Sequence, residues 1–329
     1  MNKKVTIYFP FTQGPGNGGN NFLVSLKNEF IKMGIYCETL ADAHAIIFNS
    51  HHNVQEVLKL KRKYPEKIFI HRVDGPMTIY NGPSDKRDSV VRLLNCQVAD
   101  GTVFQSNWSM SQNIQLNLFN ERKCRVICNA PNPDIFFVKE IRDKKNAQLK
   151  IISSGWSNNP NKGGETLCWL DQNLDFNKYD FEFIGPTIIN FKNIKKHGSK
   201  TSQEIGEILR SCDVFFFPSK YEACSNALLE GIHSGLIPLA KNSSSNIEII
   251  DNDRLLFDEV DSIIPKLDYI FEHYEELLYN VKIIKLDEVA KQYYQFATSF
   301  EQPSTVKFSY WNSQIRYWFN IFRNKTGNL

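Results

Sequence analysis

The sequence lacks an excess of charge of either sign. Its 39 lysine and arginine residues nearly balance its 36 aspartate and glutamate residues over 329 positions, which leaves a net charge of +3. This balance gives no argument for a nucleic-acid partner, because such a partner attracts proteins with a strong positive field. None of the seven cysteines forms a Cys-x-x-Cys pair. The sequence therefore supports neither a zinc site nor a disulfide framework.

Long hydrophobic runs are also missing. The first apolar stretch, Val5–Phe9, is too short for the apolar core of a secretory signal, and no run of 18 apolar residues follows it. We therefore expect a cytoplasmic protein. The early glycines do not form the Gly-x-Gly-x-x-Gly motif in its dinucleotide-binding form, since no acidic residue follows at the required distance. No dinucleotide cofactor is expected.

The order of apolar segments predicts two α/β domains. Strand candidates in the first half alternate with helical patterns and lie at residues 4–9, 45–49, 67–72, 99–104 and 124–128. The second half repeats this alternation, with strand candidates at residues 149–153, 180–184, 214–217 and 236–240. Such alternation is typical of parallel sheets with helices on both faces. We therefore predict two doubly wound, Rossmann-like sheets that face each other across a cleft.

Turn-forming residues mark the boundary between the halves. The segment Asn129–Asp134 is rich in asparagine and proline, and a polar, charged stretch follows it. We therefore place one domain at residues 1–137 and a second at residues 138–303. Aromatic and basic residues crowd positions 308–325. This tail is either a membrane-surface helix or a terminal helix that packs against the fold, and we favour packing.

Two glutamates, Glu222 and Glu230, stand eight positions apart after the strand candidate at residues 214–217. The turn at Pro218-Ser219 ends that strand, and the pattern predicts a helix that begins near Glu222. A rise of 1.5 Å per residue would separate the carboxylates by roughly 12 Å along the helix axis. Carboxylates among small apolar residues need hydrogen-bond donors. The pair therefore suits a long polar ligand, such as a sugar nucleotide whose phosphate binds helix amides, although both glutamates could instead be solvated.

Two glycine-rich segments also precede predicted helices. Residues 14–19 contain four glycines, and Lys162-Gly163-Gly164 follows the first strand of the second half. Glycine lets the backbone approach a ligand closely, and a lysine beside free helix amides suits a diphosphate. The competing interpretation of each segment is an ordinary flexible turn.

Ionisable residues stand at the end of the strand candidate at residues 67–72. His71 and Asp74 lie where open α/β sheets place their active sites, so either could orient a second substrate. Strand alternation, however, points the two side chains to opposite faces unless the strand has already ended. The competing interpretation is a capped strand end with a surface ion pair.

Together these segments resemble the retaining, GT-B-fold glycosyltransferases of family 4, the glycosyltransferase group 1 type. The resemblance covers about residues 5–250. Its motifs are the Glu222-x7-Glu230 spacing after Pro218-Ser219, Gly235-Leu-Ile-Pro238, the glycines of residues 14–19, Ser106 after its strand, Asn129–Phe136, Lys162-Gly163 and Cys212-Asp213. The match is specific in the second half and weaker in the first.

The resemblance implies a role for each candidate residue. Glu222 would contact the transferred sugar, Lys162 would neutralise the diphosphate, and Glu230 would bind the ribose hydroxyls of the donor. The other donor-binding residues would be Ser225, Asn226, Gly18, Gly19 and Gly163. His71 and Asp74 complete the catalytic set as groups that orient the acceptor. The resemblance also implies that residues 304–329 return as a helix to the N-terminal domain, and that neither a metal ion nor a cofactor is needed.

The implied function is transfer of a sugar, with retention, from a UDP- or GDP-linked donor to a hydroxyl of a glycan or lipid-linked acceptor. This chemistry is typical of polysaccharide biosynthesis in the cytoplasm, with or without peripheral contact at the inner membrane face. One departure is that Trp156-Ser157 stand where the family has a basic residue. Two alternatives therefore stay open, a non-catalytic protein of the same fold that binds a glycan or a partner, and a sugar-nucleotide epimerase.

Overall fold

The computed structural model describes residues 3–12, 18–119, 123–138, 148–304 and 308–325, the last range with side chains only to residue 319. The chain divides into two compact units. The first comprises Met1–Thr12, Leu23–Cys128 and Asp287–Leu329, and the second comprises Gln13–Phe22 and Asn129–Leu286. These divisions differ from the domain ends at 137 and 303 that the sequence suggested. The second boundary lies earlier because Tyr294 and Phe296, in the helix over 286–298, contact Lys3 and Gly101 of the first unit.

The strands and helices alternate through both units. The strands are β1 Val5–Tyr8, β2 Ala45–Asn49, β3 Ile68–Val73, β4 Gly101–Phe104, β5 Cys124–Val126, β6 Leu149–Ser154, β7 Tyr179–Ile184, β8 Lys195–Lys196, β9 Val214–Phe217, β10 Ile237–Lys241 and β11 Leu256–Phe257. The helices are α1 Gly18–Lys32, α2 Val54–Lys63, α3 Met77–Asn81, α4 Arg87–Gln97, α5 Asn107–Gln115, α6 Gly164–Asn173, α7 Ser202–Leu209, α8 Asn226–His233, α9 Ser245–Ile250, α10 Ile263–Glu272, α11 Tyr274–Tyr279, α12 Leu286–Thr298 and α13 Tyr310–Lys325.

The first unit is built on a parallel sheet with strand order β1-β2-β3-β4-β5. A single parallel bridge between Val5 and Tyr36 extends the sheet beyond β1. The chain thus runs from β1 outward to Tyr36 and then back to β2, which is a doubly wound connection. β2 and β3 are buried along their whole length, as expected for parallel strands with helices on both faces.

The C-terminal segment closes the first unit. The ring of Phe300 lies so close to Gly101 that a Cβ atom there would be 2.5 Å from it, and the buried carboxylate of Asp100 accepts a hydrogen bond of 2.8 Å from the Ser304 N–H. Beyond this segment, α13 packs against α2 and α4, and Tyr310 and Tyr317 join the core beneath. The predicted return of the C-terminal helix to the N-terminal domain is confirmed. Across the described ranges, none of the helices combines the length and the apolarity that a membrane crossing requires.

The second unit is built on a parallel sheet with strand order β11-β10-β9-β6-β7-β8. β7, the strand after β6, lies on one side of the β6–β9 pair, and β10, the strand after β9, lies on the other side. Strand connections of this kind are right-handed, so the helices that follow β6 and β9 cover opposite faces. The packing agrees, because Leu167 and Leu170 of α6 share a core with Phe216, whereas Gly231 of α8 lies against Phe215. The predicted fold class, two doubly wound Rossmann-like sheets of the GT-B type, is confirmed.

The helix predicted to begin near Glu222 begins four residues later. β9 ends at Phe217, and the chain then runs without regular structure until Ser225, whose hydroxyl accepts a hydrogen bond from the Leu228 N–H and caps α8. Glu230 lies on this helix and Glu222 precedes it. The separation of roughly 12 Å deduced from helix rise therefore does not apply to this pair.

Gly163 and Gly198 allow a direct test of the packing at the end of β9. Both have a positive φ, but only Gly163 has neighbours where a Cβ atom would lie, with the Pro218 carbonyl oxygen at 2.6 Å. We expect Gly198→Ala to destabilise the protein by about 1 kcal/mol through backbone strain, and Gly163→Ala by about 1–3 kcal/mol more through overlap. Urea unfolding of the two variants measures the difference, and equal losses would contradict the close approach.

Candidate active site

Two loops meet at the carboxyl ends of the central strands of the second sheet. β6 pairs directly with β9, and the chain leaves these strands toward opposite faces, which creates the crevice where open α/β sheets bind ligands. The loop after β6 ends at Gly163, which touches Pro218 in the loop after β9. The Lys220 N–H donates a hydrogen bond of 2.8 Å to the Asn161 carbonyl oxygen. This contact fixes the two loops to each other.

Lys162 and Glu222 form an ion pair across these loops. The Nζ atom of Lys162 lies 2.5 Å from Oε1 of Glu222, and the Ser219 hydroxyl donates to the same oxygen at 2.5 Å. The Lys162 side chain is 28% exposed and that of Glu222 is 14% exposed. The structure thus places a partly shielded cation, held by a carboxylate, at the edge of the crevice.

A third loop, after β10, holds Glu222 in place. The Ser244 hydroxyl accepts a hydrogen bond of 3.0 Å from the Glu222 N–H, and the Ser245 N–H donates to the Glu222 carbonyl oxygen at 3.3 Å. The amide of Asn246 donates to the Ser219 carbonyl oxygen at 3.0 Å. Both the backbone and the side chain of Glu222 are therefore positioned before any ligand arrives.

The start of α8 gathers several of the predicted donor-binding residues. Ser225 caps the helix, and the first backbone amides of any helix lack acceptors within it. The side chain of Asn226 accepts a hydrogen bond of 3.0 Å from the buried amide of Asn129. A Cβ atom on Gly18 would lie 3.1 Å from the Asn226 amide nitrogen, so this glycine also borders the helix start. Gly19 has open space around it.

Glu230 occupies a different environment from Glu222. Its side chain lies one turn into α8, and within the described part of the chain its carboxylate has neither a hydrogen-bond donor nor a cation. Burial raises the pKa of Glu230 to about 8. An uncharged or partly charged carboxyl group at neutral pH, without a partner, is suited to receive hydroxyl donors from a ligand.

His71 and Asp74, the candidate residues of the first unit, lie in different environments. The His71 side chain has no exposed surface. Its ring stacks on Phe48 and bonds to the Ser50 carbonyl oxygen at 2.9 Å, and burial lowers its pKa to about 4. A side chain enclosed in this way cannot contact a substrate, so we remove His71 from the proposed site. Asp74 is 27% exposed and accepts hydrogen bonds from Arg72 and Gln105.

Local sequence patterns did not indicate the residues that support Glu222. Ser219 stands in the turn that ends β9, and Asn161 stands in the loop before Lys162. Ser244 belongs to a run of one asparagine and three serines after a strand, which is a signal of a structured turn. Nothing in these local patterns indicates that the turns contact one another.

A cavity of about 520 Å³ lies on the α6 face of the second sheet. Trp169 and Ile189 contribute to its walls, and the loop that carries Lys162 borders it. The hydroxyl of Ser153, also in the lining, is buried and has no hydrogen-bond partner among the residues that the structure describes. Among the residues that the structure describes, no three His, Cys, Asp or Glu side chains form a cluster that could hold a metal ion.

The raised pKa of Glu230 predicts how stability depends on pH. A carboxyl group whose pKa rises from about 4.3 in the unfolded chain to about 8 in the folded protein weakens folding as the pH climbs through that range. We expect Glu230→Gln to raise the melting temperature, and to raise it more at about pH 8.5 than at about pH 5. Glu207→Gln, an exposed glutamate of the same unit, is the control. Equal responses of the two variants would contradict the assigned environment.

One family model matches part of the chain. Residues 190–282 match the model described as "Glycosyl transferases group 1", and this segment contains both Glu222 and Glu230. No curated protein sequence matches the chain significantly. The matched segment lies within the second unit.

Several solved structures are similar to nearly the whole chain. Sucrose-phosphate synthase from Thermosynechococcus elongatus has a TM-score of 0.65 at 11% identity, with 100% of both chains covered. HepE of Anabaena, in complex with UDP-glucose, has a TM-score of 0.62 at 11% identity, with 96% of this chain and 98% of that chain covered. WaaG, a glycosyltransferase involved in lipopolysaccharide biosynthesis, has a TM-score of 0.59 at 11% identity, with 90% and 97% covered. The protein therefore has the GT-B fold of the glycosyltransferases, and residues 190–282 within it match the group 1 family.

Proposed function

We propose that the protein transfers a glycosyl unit from a nucleotide sugar to a hydroxyl acceptor. The observation that carries this proposal is the arrangement in the second unit. There Glu222, paired with Lys162, precedes α8, and Glu230, which has no partner among the described residues, lies one turn into that helix. The fold and the matched family segment support it. HepE was solved with UDP-glucose, and an Escherichia coli trehalose-6-phosphate protein was solved with UDP-2-fluoro glucose.

The diphosphate of the donor would bind between Lys162 and the first amides of α8. A helix start offers free N–H groups and a partial positive charge, and Lys162 adds a full charge that Glu222 already positions. These groups stabilise the negative charge that develops on the leaving diphosphate. Gly18 borders the helix start, Gly19 has open space around it, and Gly163 lets the loop that carries Lys162 approach Pro218, so we keep all three glycines in the proposed donor site.

Glu222 and Glu230 would contact different parts of the donor. Glu222, together with Ser225 and Asn226, would face the transferred sugar. Glu230 would accept hydrogen bonds from the ribose hydroxyls, which supply the donors that its carboxylate lacks. A UDP- or GDP-linked sugar would bring its sugar to Glu222 and its ribose hydroxyls to Glu230.

We further propose that transfer proceeds with retention and without a metal ion. Glu222 is engaged by Lys162 and Ser219, so it is poorly placed to attack the sugar as a nucleophile. Attack of the acceptor from the same side as the leaving group, with the leaving phosphate accepting the proton, needs no such nucleophile. Asp74, which is partly exposed at the end of β3, remains the proposed acceptor-orienting group. The proposed acceptor is a glycan or a lipid-linked saccharide, in the cytoplasm or at the inner face of the membrane.

Nucleotide release from a panel of UDP- and GDP-sugars tests the proposed reaction. We expect release that persists in EDTA, and a loss of about 100-fold or more in kcat/KM for Lys162→Ala because a charge opposite the leaving group is removed. Lys195→Ala is the matched control, since Lys195 also pairs with a carboxylate, that of Asp180, in the same unit. Unchanged turnover of Lys162→Ala would contradict the site assignment.

The same panel separates the two alternative functions. Binding of a donor without any release of nucleotide would favour a non-catalytic glycan- or partner-binding protein. Conversion of one nucleotide sugar into another, without transfer, would favour an epimerase. Either result would overturn the proposed transfer.

Donor affinity should depend on the ionisation of Glu230. Hydroxyl donors favour the carboxylate over the carboxyl form, and the free protein has a pKa of about 8 at this position. Below about pH 8, we expect Kd for the nucleotide sugar to fall by up to about tenfold for each unit by which the pH rises. Binding should release the proton of the Glu230 carboxyl group, which the buffer takes up. Calorimetry in two buffers measures both quantities. In Glu230→Gln, binding should be weaker and should lose this pH dependence, and an unchanged profile would contradict the ribose contact.

A further inference from the structure

The C-terminal helix α13 has two different faces. One face is turned to the first unit, where Ser313 and Gln314 are buried and Tyr310 and Tyr317 pack against the core. The other face carries the aromatic stripe, which we define as Trp311, Ile315, Trp318 and Phe319. Their exposed fractions are 68%, 53%, 49% and 68%. At about 100° per residue, the four side chains fall within an arc of about 100°.

Exposure of this kind is unusual for a helix that packs on a folded unit. Single exposed apolar side chains are common, but a continuous group of large ones marks an interaction surface. The surface face of such a helix is ordinarily polar. In α13 the packing requirement is already met by the opposite face, so packing within the unit does not explain the aromatic stripe.

The sequence that carries the aromatic stripe is positively charged. Residues 302–329 contain no aspartate or glutamate and carry Lys307, Arg316, Arg323 and Lys325. On the neighbouring helix α2, the guanidinium of Arg62 lies 4.9 Å from the Tyr310 ring and 5.8 Å from the Trp311 ring. Arg316, also exposed, flanks the stripe on α13. Cations therefore border an apolar, aromatic surface on both sides.

We propose that the aromatic stripe docks on the surface of an anionic lipid bilayer, with α13 lying parallel to the membrane plane. Tryptophan concentrates at the boundary between lipid headgroups and acyl chains, because its ring is apolar and its N–H group is polar. A helix with Trp, Phe and Ile on one face and arginine at the flanks is the typical interfacial helix. Arg62 and Arg316 would contact the anionic headgroups. This proposal does not depend on the reaction that the second unit catalyses.

Co-sedimentation of the full-length protein with vesicles tests the docking surface. The vesicles contain phosphatidylcholine alone, or phosphatidylcholine with about one third phosphatidylglycerol. We expect binding to the anionic vesicles that weakens as salt is raised. The double variant Trp311→Ser/Trp318→Ser should bind at least about tenfold more weakly, since two interfacial anchors are removed. Arg316→Glu should lose the preference for anionic vesicles while keeping the residual binding.

Exposed apolar residues elsewhere provide the matched control. Ile188 and Tyr279 are 83% and 76% exposed on the second unit, so Ile188→Ser/Tyr279→Ser removes a similar exposed surface without touching α13. We expect this variant to bind vesicles as the unaltered protein does. All variants should keep the melting temperature, because none of the substituted side chains is buried.

Three results would overturn the proposal. The first is no binding of the unaltered protein to anionic vesicles, and the second is equal binding by the Trp311→Ser/Trp318→Ser variant. The third is a change of oligomeric state in that variant, measured by sedimentation equilibrium, without any change in vesicle binding. That last result would show that the aromatic stripe is covered by a second copy of the chain.

Discussion

The direct pairing of β6 with β9 is the constraint on which the candidate site depends. These strands are neighbours in the sheet although four other elements separate them along the chain. Their following helices cover opposite faces, so the two loops open into one crevice. Gly163 permits those loops to touch, because any side chain at this position would overlap Pro218. The meeting of Lys162 and Glu222, 60 residues apart in sequence, is a consequence of that pairing.

The carboxylates of Glu222 and Glu230 have different electrostatic surroundings. Glu222 has a cation and a hydroxyl on its carboxylate, and it is held by its backbone as well. Glu230 has no such partner in the described part of the chain, and desolvation raises its pKa to about 8. A carboxylate that already accepts hydrogen bonds can position other groups, whereas a carboxylate without hydrogen-bond donors gains most from a ligand that brings hydroxyl groups. This difference is the physical basis for assigning them to separate parts of a donor.

Local pattern predicted most of the elements. The apolar segments at 45–49 and 214–217 are strands with those bounds. The pattern failed where a turn replaced a helix, since Ser219 and Glu222, which lie between Phe217 and Ser225, bond to the loop after β10. It also could not show that His71 is enclosed by Phe48 and Asn95, which come from a strand and a helix distant in sequence.

By itself, the sequence determined the alternation of strands and helices, the glycines at the loops, and the spacing of Glu222 and Glu230 that resembles a known family. It did so because strand and helix periodicity is a property of short segments. Only the tertiary structure decided which loops meet, which of the two glutamates has a cation, and which face of α13 remains exposed. Those outcomes depend on strand order and burial, which are set by contacts between residues far apart along the chain.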